Sequence, residues 1–382
     1  MTFLPADDDR KEAWFERFKR FNWLLAFALC LLAVLGFVVL YSVGGGSGQP
    51  WALPQLQKFL IGLVAMLAIA PIPVSFWKRF VFPAYVACIG LLVVTELQAS
   101  PGGSANRWLD LGFLRFQPSE LCKLAIILVI ATFYDAIGPE RSSRPLWVAV
   151  PLFLIAVPVA LIVRQPDLGT ALLVVLGGVA LMFVAGVSIY YFLGGGLVAI
   201  AGIGAALFSR GTSWQILEDY QYQRIETYLS PDPNILGSGY HITQSIIALG
   251  SGGVSGRGYL HGTQSQLGFL PERHTDFVFN TLGEEFGLVW GLILLLFYAT
   301  IVGMCIYMSI RTRSRFNSLV IFGVGTMFFL YFSLNLAMVT GLTPVVGVPL
   351  PFISYSGSAT LTLMIGFGLV QSAYLHDRSA NG

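Results

Sequence analysis

Charged side chains are scarce in this sequence. Of its 382 residues, 11% are Asp, Glu, Lys or Arg, whereas 55% are hydrophobic. No lysine is followed by Ser or Thr, so the G-x-x-x-x-G-K-[ST] phosphate loop does not occur, and there is no H-E-x-x-H zinc signature. ATP hydrolysis and zinc proteolysis therefore have no support. The net charge of +2 gives no indication of nucleic-acid binding.

Cysteine is also rare. The four cysteines, Cys30, Cys88, Cys122 and Cys305, lie in apolar segments without C-x-x-C spacing. This pattern predicts small buried apolar side chains rather than disulfides or metal ligands.

Long hydrophobic runs make up most of the chain. Ten of them approach the roughly 20 residues that a helix needs to cross a bilayer, which predicts an all-α polytopic membrane protein with about ten transmembrane helices. The first run exceeds a signal-peptide core, and three glycines follow it without an A-x-A-like cleavage site, so we interpret it as a span. The predicted spans are 21–43, 55–72, 79–96, 118–136, 146–163, 168–187, 190–208, 277–310, 316–340 and 352–375.

Lysine and arginine predict the orientation, because short cytoplasmic segments carry an excess of both. The clusters are Arg10, Lys11, Arg17, Lys19 and Arg20 before span one, Lys78 and Arg79 after span two, Arg141 and Arg144 after span four, and Arg311, Arg313 and Arg315 after span eight. Ten spans that start inside also end inside. Both termini are therefore predicted to be cytoplasmic.

The segments outside the spans have distinct predicted roles. Residues 1–20 form a basic leader rich in aromatic side chains, which fits either an amphipathic helix against anionic lipid or a solvated leader with ordinary membrane anchors. On the opposite side, three segments contain more residues than a simple connection between two helices needs: 98–117, 209–276 and 341–351. The longest, 209–276, is predicted to be a folded extracytoplasmic cap, because unstructured loops of that length are uncommon.

Two stretches of the cap carry local signals. In residues 213–229, apolar and polar side chains at helical spacing predict a helix on the membrane surface: Trp214, Leu217, Gln221, Ile225 and Tyr228. Residues 237–258 are rich in glycine, which allows tight turns and close approach to a ligand.

Ionisable residues lie at the outward ends of several spans. Charged side chains inside a membrane are energetically costly, so those that occur there usually have a function or pair with one another. Glu120 and Lys123 are three residues apart and share a helix face. Two interpretations are open: the residues form an ion pair that orients span four, or they contact the substrate directly. Asp167 begins span six and is predicted to cap that helix. Arg115 and Arg164 are the other cations at these ends.

Span eight carries a polar stripe. Asp276, Asn280 and Glu284 recur at i, i+4 and i+8 among Phe, Val, Leu and Trp residues. A polar stripe that faced lipid would be costly, so it is predicted to face the protein interior or a wet cavity. Asp276 could also cap the helix.

Six motifs occur in order across the ten spans. They are NRWLDLG at 106–112, RFQPSELCK at 115–123, RQPDLGTAL at 164–172, GYHITQSIIALGSGG at 239–253, HGTQSQLGFLPERHTDF at 261–277 and PLPFISYSGS at 349–358. Together they closely resemble the SEDS family of shape, elongation, division and sporulation proteins. The fifth motif is most similar to the elongation branch, of RodA type, rather than to the division branch.

The resemblance implies a peptidoglycan glycosyltransferase that polymerises lipid II on the outer face of the cytoplasmic (inner) membrane. It implies a class B penicillin-binding protein as partner, within an elongation complex that includes MreB-type proteins. It places the family's proposed catalytic base on Asp276 and its outer-loop tryptophan on Trp108. The family's important span-four residues fall on Arg115, Glu120 and Lys123.

The chemistry implied by this resemblance needs few groups. A carboxylate can accept the proton of the attacking sugar hydroxyl. The pyrophosphate leaving group needs its charge neutralised, which Arg115, Lys123, Arg107 or a divalent cation such as Mg²⁺ or Mn²⁺ could do. We therefore predict Asp276 as catalytic residue and Arg107, Trp108, Arg115, Glu120, Lys123 and Asp167 as substrate-binding residues.

The sequence departs from the family at one position, and two other functions are also compatible with it. The family usually has S-Y-G-G-S where this chain has Ser356 in S-Y-S-G-S, which questions a backbone conformation that requires glycine there. A lipid-precursor flippase would also need charges inside a helix bundle, although the candidates cluster toward one face rather than the midplane. A noncatalytic scaffold that activates its partner is the third hypothesis.

Overall fold

The computed structural model describes residues 20–98, 107–110, 115–215, 217, 219, 222, 238–267 and 272–377. Twelve α-helices lie in this part of the chain: α1 (Trp23–Val43), α2 (Ala52–Ile69), α3 (Val74–Leu97), α4 (Pro118–Ile137), α5 (Pro145–Arg164), α6 (Leu168–Val184), α7 (Ile189–Phe208), α8 (Ser238–Ser251), α9 (Thr263–Gln266), α10 (Val278–Arg311), α11 (Arg315–Val339) and α12 (Gly357–Leu375). A 3₁₀ turn (Pro139–Arg141) and the antiparallel strands β1 (Leu109–Asp110) and β2 (Arg115–Phe116) complete the described elements.

Each predicted span corresponds to one of these helices. Within the described ranges, eight helices are long and apolar enough to cross a membrane. The other two are α4, which carries Glu120, Lys123 and Asp135, and α6, which has 17 residues. The predicted all-α polytopic membrane fold is confirmed.

The helices differ in how much lipid-facing surface they carry. α11 and α12 are mostly buried, and α4 buries most of its length between them and α3. α7, in contrast, buries only Ala206 among its described residues, so nearly all of its surface is available to lipid. In the core, the ring of Phe328 lies 5.4 Å from Tyr298 and 5.4 Å from Phe367.

The predicted span eight is broken near its start. At Gly287 the backbone has φ 76° and ψ −172°, which is not helical. The glycine-rich residues 252–258 fill the break: the N–H groups of Arg257 and Gly258 donate to the carbonyls of Glu284 and Glu285, each at 3.0 Å. On the other side of the break, the N–H of Leu288 donates to the carbonyl of residue 253 at 3.0 Å. These glycines were predicted to allow close approach to a ligand, and in the structure they approach the α10 backbone instead.

Parts of the predicted cap and leader lie outside the described residues. This applies to residues 1–19 of the leader and to most of the predicted surface helix at 213–229. The described part of the cap includes α8 and α9, both of which pack against α10. The four cysteines are free, and Cys88, Cys122 and Cys305 are buried as predicted, whereas Cys30 is only partly buried.

Candidate active site

A cavity of about 640 Å³ opens where α4, α6 and α12 begin. Six of the seven predicted site residues line it, although they are spread over residues 107–276: Arg107, Trp108, Glu120, Lys123, Asp167 and Asp276. The seventh, Arg115, has its backbone in β2, paired with Asp110. The Arg115 side chain lies outside the described residues.

Asp276 lies in the turn before α10, with its carboxylate facing the cavity. Its main-chain carbonyl accepts a hydrogen bond from Nδ2 of Asn335 at 2.8 Å, and the same amide donates to the carbonyl of Val348 at 2.7 Å. A Cβ atom on Gly347 would lie 3.4 Å from Oδ2 of Asp276. Among the described residues, no side chain donates to this carboxylate. The backbone is therefore fixed while the carboxylate stays available.

The residues before Asp276 are held by the segment that precedes α12. The hydroxyl of Ser354 donates to the carbonyl of Thr275 at 2.5 Å, and the N–H of Tyr355 donates to the carbonyl of His274 at 2.8 Å. These bonds explain why the last span begins at Gly357 rather than at residue 352 as predicted. Residues 352–356 support the turn instead of forming a helix.

Burial raises the pKa of Asp276 from its ordinary value of 3.8 to about 6. The negative charges of Glu272 and Asp167 contribute to the same increase. A carboxylate with this pKa is mostly ionised at neutral pH and is still basic enough to accept a proton.

Glu120, Lys123 and Tyr331 form a buried polar cluster. Nζ of Lys123 donates to Oε1 of Glu120 at 2.6 Å and to the hydroxyl of Tyr331. The Tyr331 hydroxyl in turn donates to Oε2 of Glu120 at 2.5 Å. Lys123 is 1% exposed, and all three residues line the cavity. The arrangement contains the predicted ion pair and also presents it to the cavity, so the two sequence interpretations are compatible.

Asp167 caps α6, as predicted. Its Oδ1 accepts from the N–H of Thr170 at 3.1 Å, and its Oδ2 accepts from Nε2 of Gln117 at 2.8 Å. Arg107 is fixed nearby, because its guanidinium donates to the carbonyls of Gln165 and Pro166 at 2.8 and 2.6 Å. Both residues therefore shape the cavity wall through bonds to neighbouring segments.

Sequence reasoning missed Lys58 in α2. Its Nζ lies 4.0 Å from the ring centroid of Tyr355, and its side chain lines the cavity. A Cβ on Gly357 would lie 2.8 Å from the Lys58 Cδ. The available signal was a lysine inside a predicted span, which by default marks a functional position.

His274 and Trp51 also meet at the cavity rim, where their rings stack with centroids 3.7 Å apart. Burial lowers the pKa of His274 below its ordinary value. Nothing in the sequence linked His274 to Trp51.

The backbone at Ser356 does not require a glycine. Its φ of −151° is extended backbone that any residue adopts. Its N–H donates to Oε1 of Gln55 at 3.1 Å. The neighbouring Gly357 lies against the end of the flexible Lys58 side chain, which a Cβ at this position would displace.

The polar stripe of span eight separates into different environments. Asn280 and Glu284 are fully buried, as predicted for a stripe that faces the protein interior. Asn280 bonds to Ser245 in α8, and Glu284 accepts from the N–H groups of Gln264 and Ser265 in α9. Asp276 is the stripe residue that lines the cavity.

The described residues do not form a metal site by themselves, since no group of three or more His, Cys, Asp or Glu is placed to hold an ion. Both carboxylate oxygens of Glu120 and of Asp167 already accept hydrogen bonds. Of the four carboxylates in the described lining, Asp276 is the one with both oxygens unengaged, since Glu272 accepts from the Thr275 hydroxyl through Oε2 at 2.9 Å. A divalent cation would therefore need most of its ligands from a bound substrate or water.

Comparison with known proteins gives consistent matches. Residues 22–379 match the FtsW/RodA/SpoVE family, described as cell cycle protein. The chain is 40% identical over 377 residues to the peptidoglycan glycosyltransferase MrdB of Escherichia coli K12, covering 98% of both chains. It is 34% identical to MrdB of Helicobacter pylori J99, covering 91% of this chain and 89% of that relative.

Two solved structures are similar in fold. The first is a chain from a structure described as structural coordination of polymerization and crosslinking by a peptidoglycan synthase complex. It is 27% identical to this chain with a TM-score of 0.79, and the match covers 93% of this chain and 97% of that one. The Thermus thermophilus rod shape determining protein RodA gives a TM-score of 0.69 at 25% identity, covering 94% and 98%.

Proposed function

Because this chain belongs to the FtsW/RodA/SpoVE family, as its motifs predicted, we propose that it is a peptidoglycan glycosyltransferase that polymerises lipid II into glycan strands during cell elongation. The observation that carries the proposal is that polar residues from distant segments line one cavity together with Asp276. The relatives named above carry the same activity in their names.

The reaction joins two lipid-linked sugars. The 4-hydroxyl of an acceptor sugar attacks the anomeric carbon of a donor, the bond from that carbon to undecaprenyl pyrophosphate breaks, and the hydroxyl proton goes to a base. Glycoside hydrolysis normally needs an acid to protonate a poor leaving group. Pyrophosphate leaves without one, provided that its negative charge is neutralised.

Asp276 is the proposed base. Its carboxylate faces the cavity without a described hydrogen-bond donor, while Asn335 holds its main chain at 2.8 Å. A pKa of about 6 keeps it ionised at neutral pH. Such positioned proton transfer contributes typically about 10²- to 10⁴-fold in rate.

Cationic side chains are proposed to neutralise the pyrophosphate. Lys123 is held by Glu120, which acts as its orienting residue, and Arg115 was predicted as its companion. Lys58 adds a third candidate, because its ammonium contacts the face of Tyr355 and forms no ion pair with a carboxylate of the described residues. A divalent cation, Mg²⁺ or Mn²⁺, could arrive with the pyrophosphate and use Asp276 or water for its remaining ligands.

The setting of the reaction follows from the charge distribution. Arginine and lysine clusters lie at the end of the bundle away from Asp276, so this end is proposed to be cytoplasmic and the cavity to face outward from the inner membrane. A penicillin-binding protein, of class B, is the proposed crosslinking partner, together with an MreB-containing elongation complex. The similarity to a chain of a peptidoglycan synthase complex supports this assignment.

The test is polymerisation by the purified chain reconstituted with a class B partner whose transpeptidase serine is replaced. Labelled lipid II is supplied to wild type, Asp276→Asn and Glu272→Gln. Glu272 is a matched control, because it lines the same cavity but its side chain is 64% exposed. We expect glycan polymer from wild type and Glu272→Gln, and a rate lower by about 10²- to 10⁴-fold for Asp276→Asn.

Wild-type polymerisation with an equally active Asp276→Asn would reject Asp276 as base but keep the enzyme. An absence of polymer from every protein, together with translocation of labelled lipid II across the vesicle membrane, would favour the flippase. Partner-dependent activation without either activity would favour the scaffold.

A further inference from the structure

A second cavity, of about 460 Å³, lies at the other end of the bundle. α10 connects the two ends: Asp276 lies two residues before its first residue, Val278, and Arg311 is its last residue. The lining residues in the described part of the chain are Arg20, Tyr307, Arg311, Thr312, Arg313, Tyr374 and Asp377. Nothing in the proposed reaction uses them.

Three segments that are distant in sequence are fixed together at this cavity. The N–H of Asn22 donates to Oε1 of Gln371 at 3.1 Å, and Nε2 of Gln371 donates back to the Asn22 carbonyl at 3.0 Å. Nδ2 of Asn22 also lies 3.3 Å from the sulfur of Met308. The entry to α1 is thereby attached to the last turns of α10 and α12, and Arg20 and Arg311 line the same cavity.

The acidic residue of the cavity is directed toward main chain. The carboxylate of Asp377 accepts from the N–H groups of Arg313 and Ser314 at 3.0 and 3.3 Å. Ser314 is the N-cap of α11, so this carboxylate lies at the positive end of a helix dipole. Among the described lining residues three side chains are basic, Arg20, Arg311 and Arg313, and one is acidic, Asp377, so the formal charge of this part of the lining is positive.

The rim of the cavity continues into an exposed face of α10. The guanidinium of Arg311 lies 5.3 Å from the ring centroid of Tyr307, one turn earlier in α10. Tyr307 is 57% exposed and Ile310 is 79% exposed on the same helix. Tyrosine on a membrane-crossing helix is typical of the headgroup level, and an apolar side chain beyond it can contact acyl chains.

We propose that this cavity binds the phosphate headgroup of an anionic phospholipid from the adjacent leaflet. Arginine suits this role because its planar fork matches phosphate oxygens, and basic pockets between transmembrane helices bind such headgroups. A soluble phosphate would match the arginines equally well. The lipid is favoured because exposed Tyr307 and Ile310 extend the surface from the cations along the lipid-facing side of α10.

The experiment compares binding of dioctanoyl phosphatidylglycerol and dioctanoyl phosphatidylcholine to the purified full chain in neutral detergent, measured by native mass spectrometry. The test variant is Arg311→Gln with Arg313→Gln. The matched control is Arg79→Gln with Arg144→Gln, which removes two exposed cations from the same end of the bundle but outside the cavity. sn-Glycerol 3-phosphate is added as the soluble competitor.

We expect wild type and the control to bind phosphatidylglycerol in preference to phosphatidylcholine. The test variant should bind phosphatidylglycerol about 30-fold more weakly, the loss that two surface cations predict. Equal weakening in the control would show general electrostatic attraction and overturn the site. Equal binding of both lipids, unchanged binding by the test variant, or full displacement by glycerol 3-phosphate at equimolar concentration would also overturn it.

Discussion

The pH dependence of polymerisation tests the role of Asp276 most directly. If this carboxylate is the base, it must be ionised before the acceptor hydroxyl attacks, so the rate should fall as pH decreases through its pKa. With a pKa of about 6, the ionised fraction is ~97% at pH 7.5 and ~9% at pH 5. We expect kcat/KM for lipid II to be about tenfold lower at pH 5 than at pH 7.5.

The size of this decrease depends on the burial of Asp276. An aspartate with the ordinary pKa of 3.8 would still be ~94% ionised at pH 5, and its profile would be almost flat across the same range. Glu272→Gln removes one of the negative charges that raise the Asp276 pKa. The inflection in that variant should therefore move to lower pH.

His274 needs its own control, because it lines the same cavity and also titrates. Burial lowers its pKa below the ordinary value, so its ionisation could produce a similar inflection. The profile of His274→Gln should keep the inflection near pH 6 if Asp276 is responsible. A flat profile in wild type that stays folded at pH 5, or an inflection abolished by His274→Gln, would refute the reasoning.

Three further substitutions test the cavity wall. Gly347→Ala places a methyl group 3.4 Å from the Asp276 carboxylate at a φ of +71°; we expect a lower kcat and a loss of about 1–2 kcal/mol in unfolding free energy, measured by denaturation in detergent. Tyr331→Phe removes a hydroxyl bonded to Lys123 and should cost about 1–3 kcal/mol by the same measurement. Lys58→Met should raise KM for lipid II about five- to tenfold with little change in kcat, if its cation binds pyrophosphate in the ground state; an unchanged KM would remove it from the site.

Much of the fold could be predicted from the sequence, because a bilayer imposes a simple rule on it. Each crossing helix must satisfy its backbone internally and present about 20 apolar residues, so the spans appear as hydrophobic runs. The break at Gly287 could not be predicted in this way, since the run continues through it. Its backbone groups are satisfied by residues 253–258, a contact between segments that no local pattern reveals.

The candidate site was only partly predictable. Charged residues in an apolar sequence identified Glu120, Lys123, Asp167 and Asp276, because burying a charge without a purpose is costly. A search for charged residues does not find Tyr331, whose hydroxyl is hydrogen-bonded to both Glu120 and Lys123. Tyrosine is common in membrane helices, so it gave no comparable signal.

The sequence by itself determined the membrane class, the ten spans and the residue types available for chemistry. The tertiary structure decided which of those residues remain available. Both oxygens of Asp167 accept hydrogen bonds from Gln117 and the α6 backbone, whereas the carboxylate of Asp276 has no described donor. Hydrogen-bond partners such as Lys123 and Tyr331 are 208 positions apart. Only the packing of helices brings such partners within reach, and therefore only the folded chain separates a structural carboxylate from one that can accept a proton.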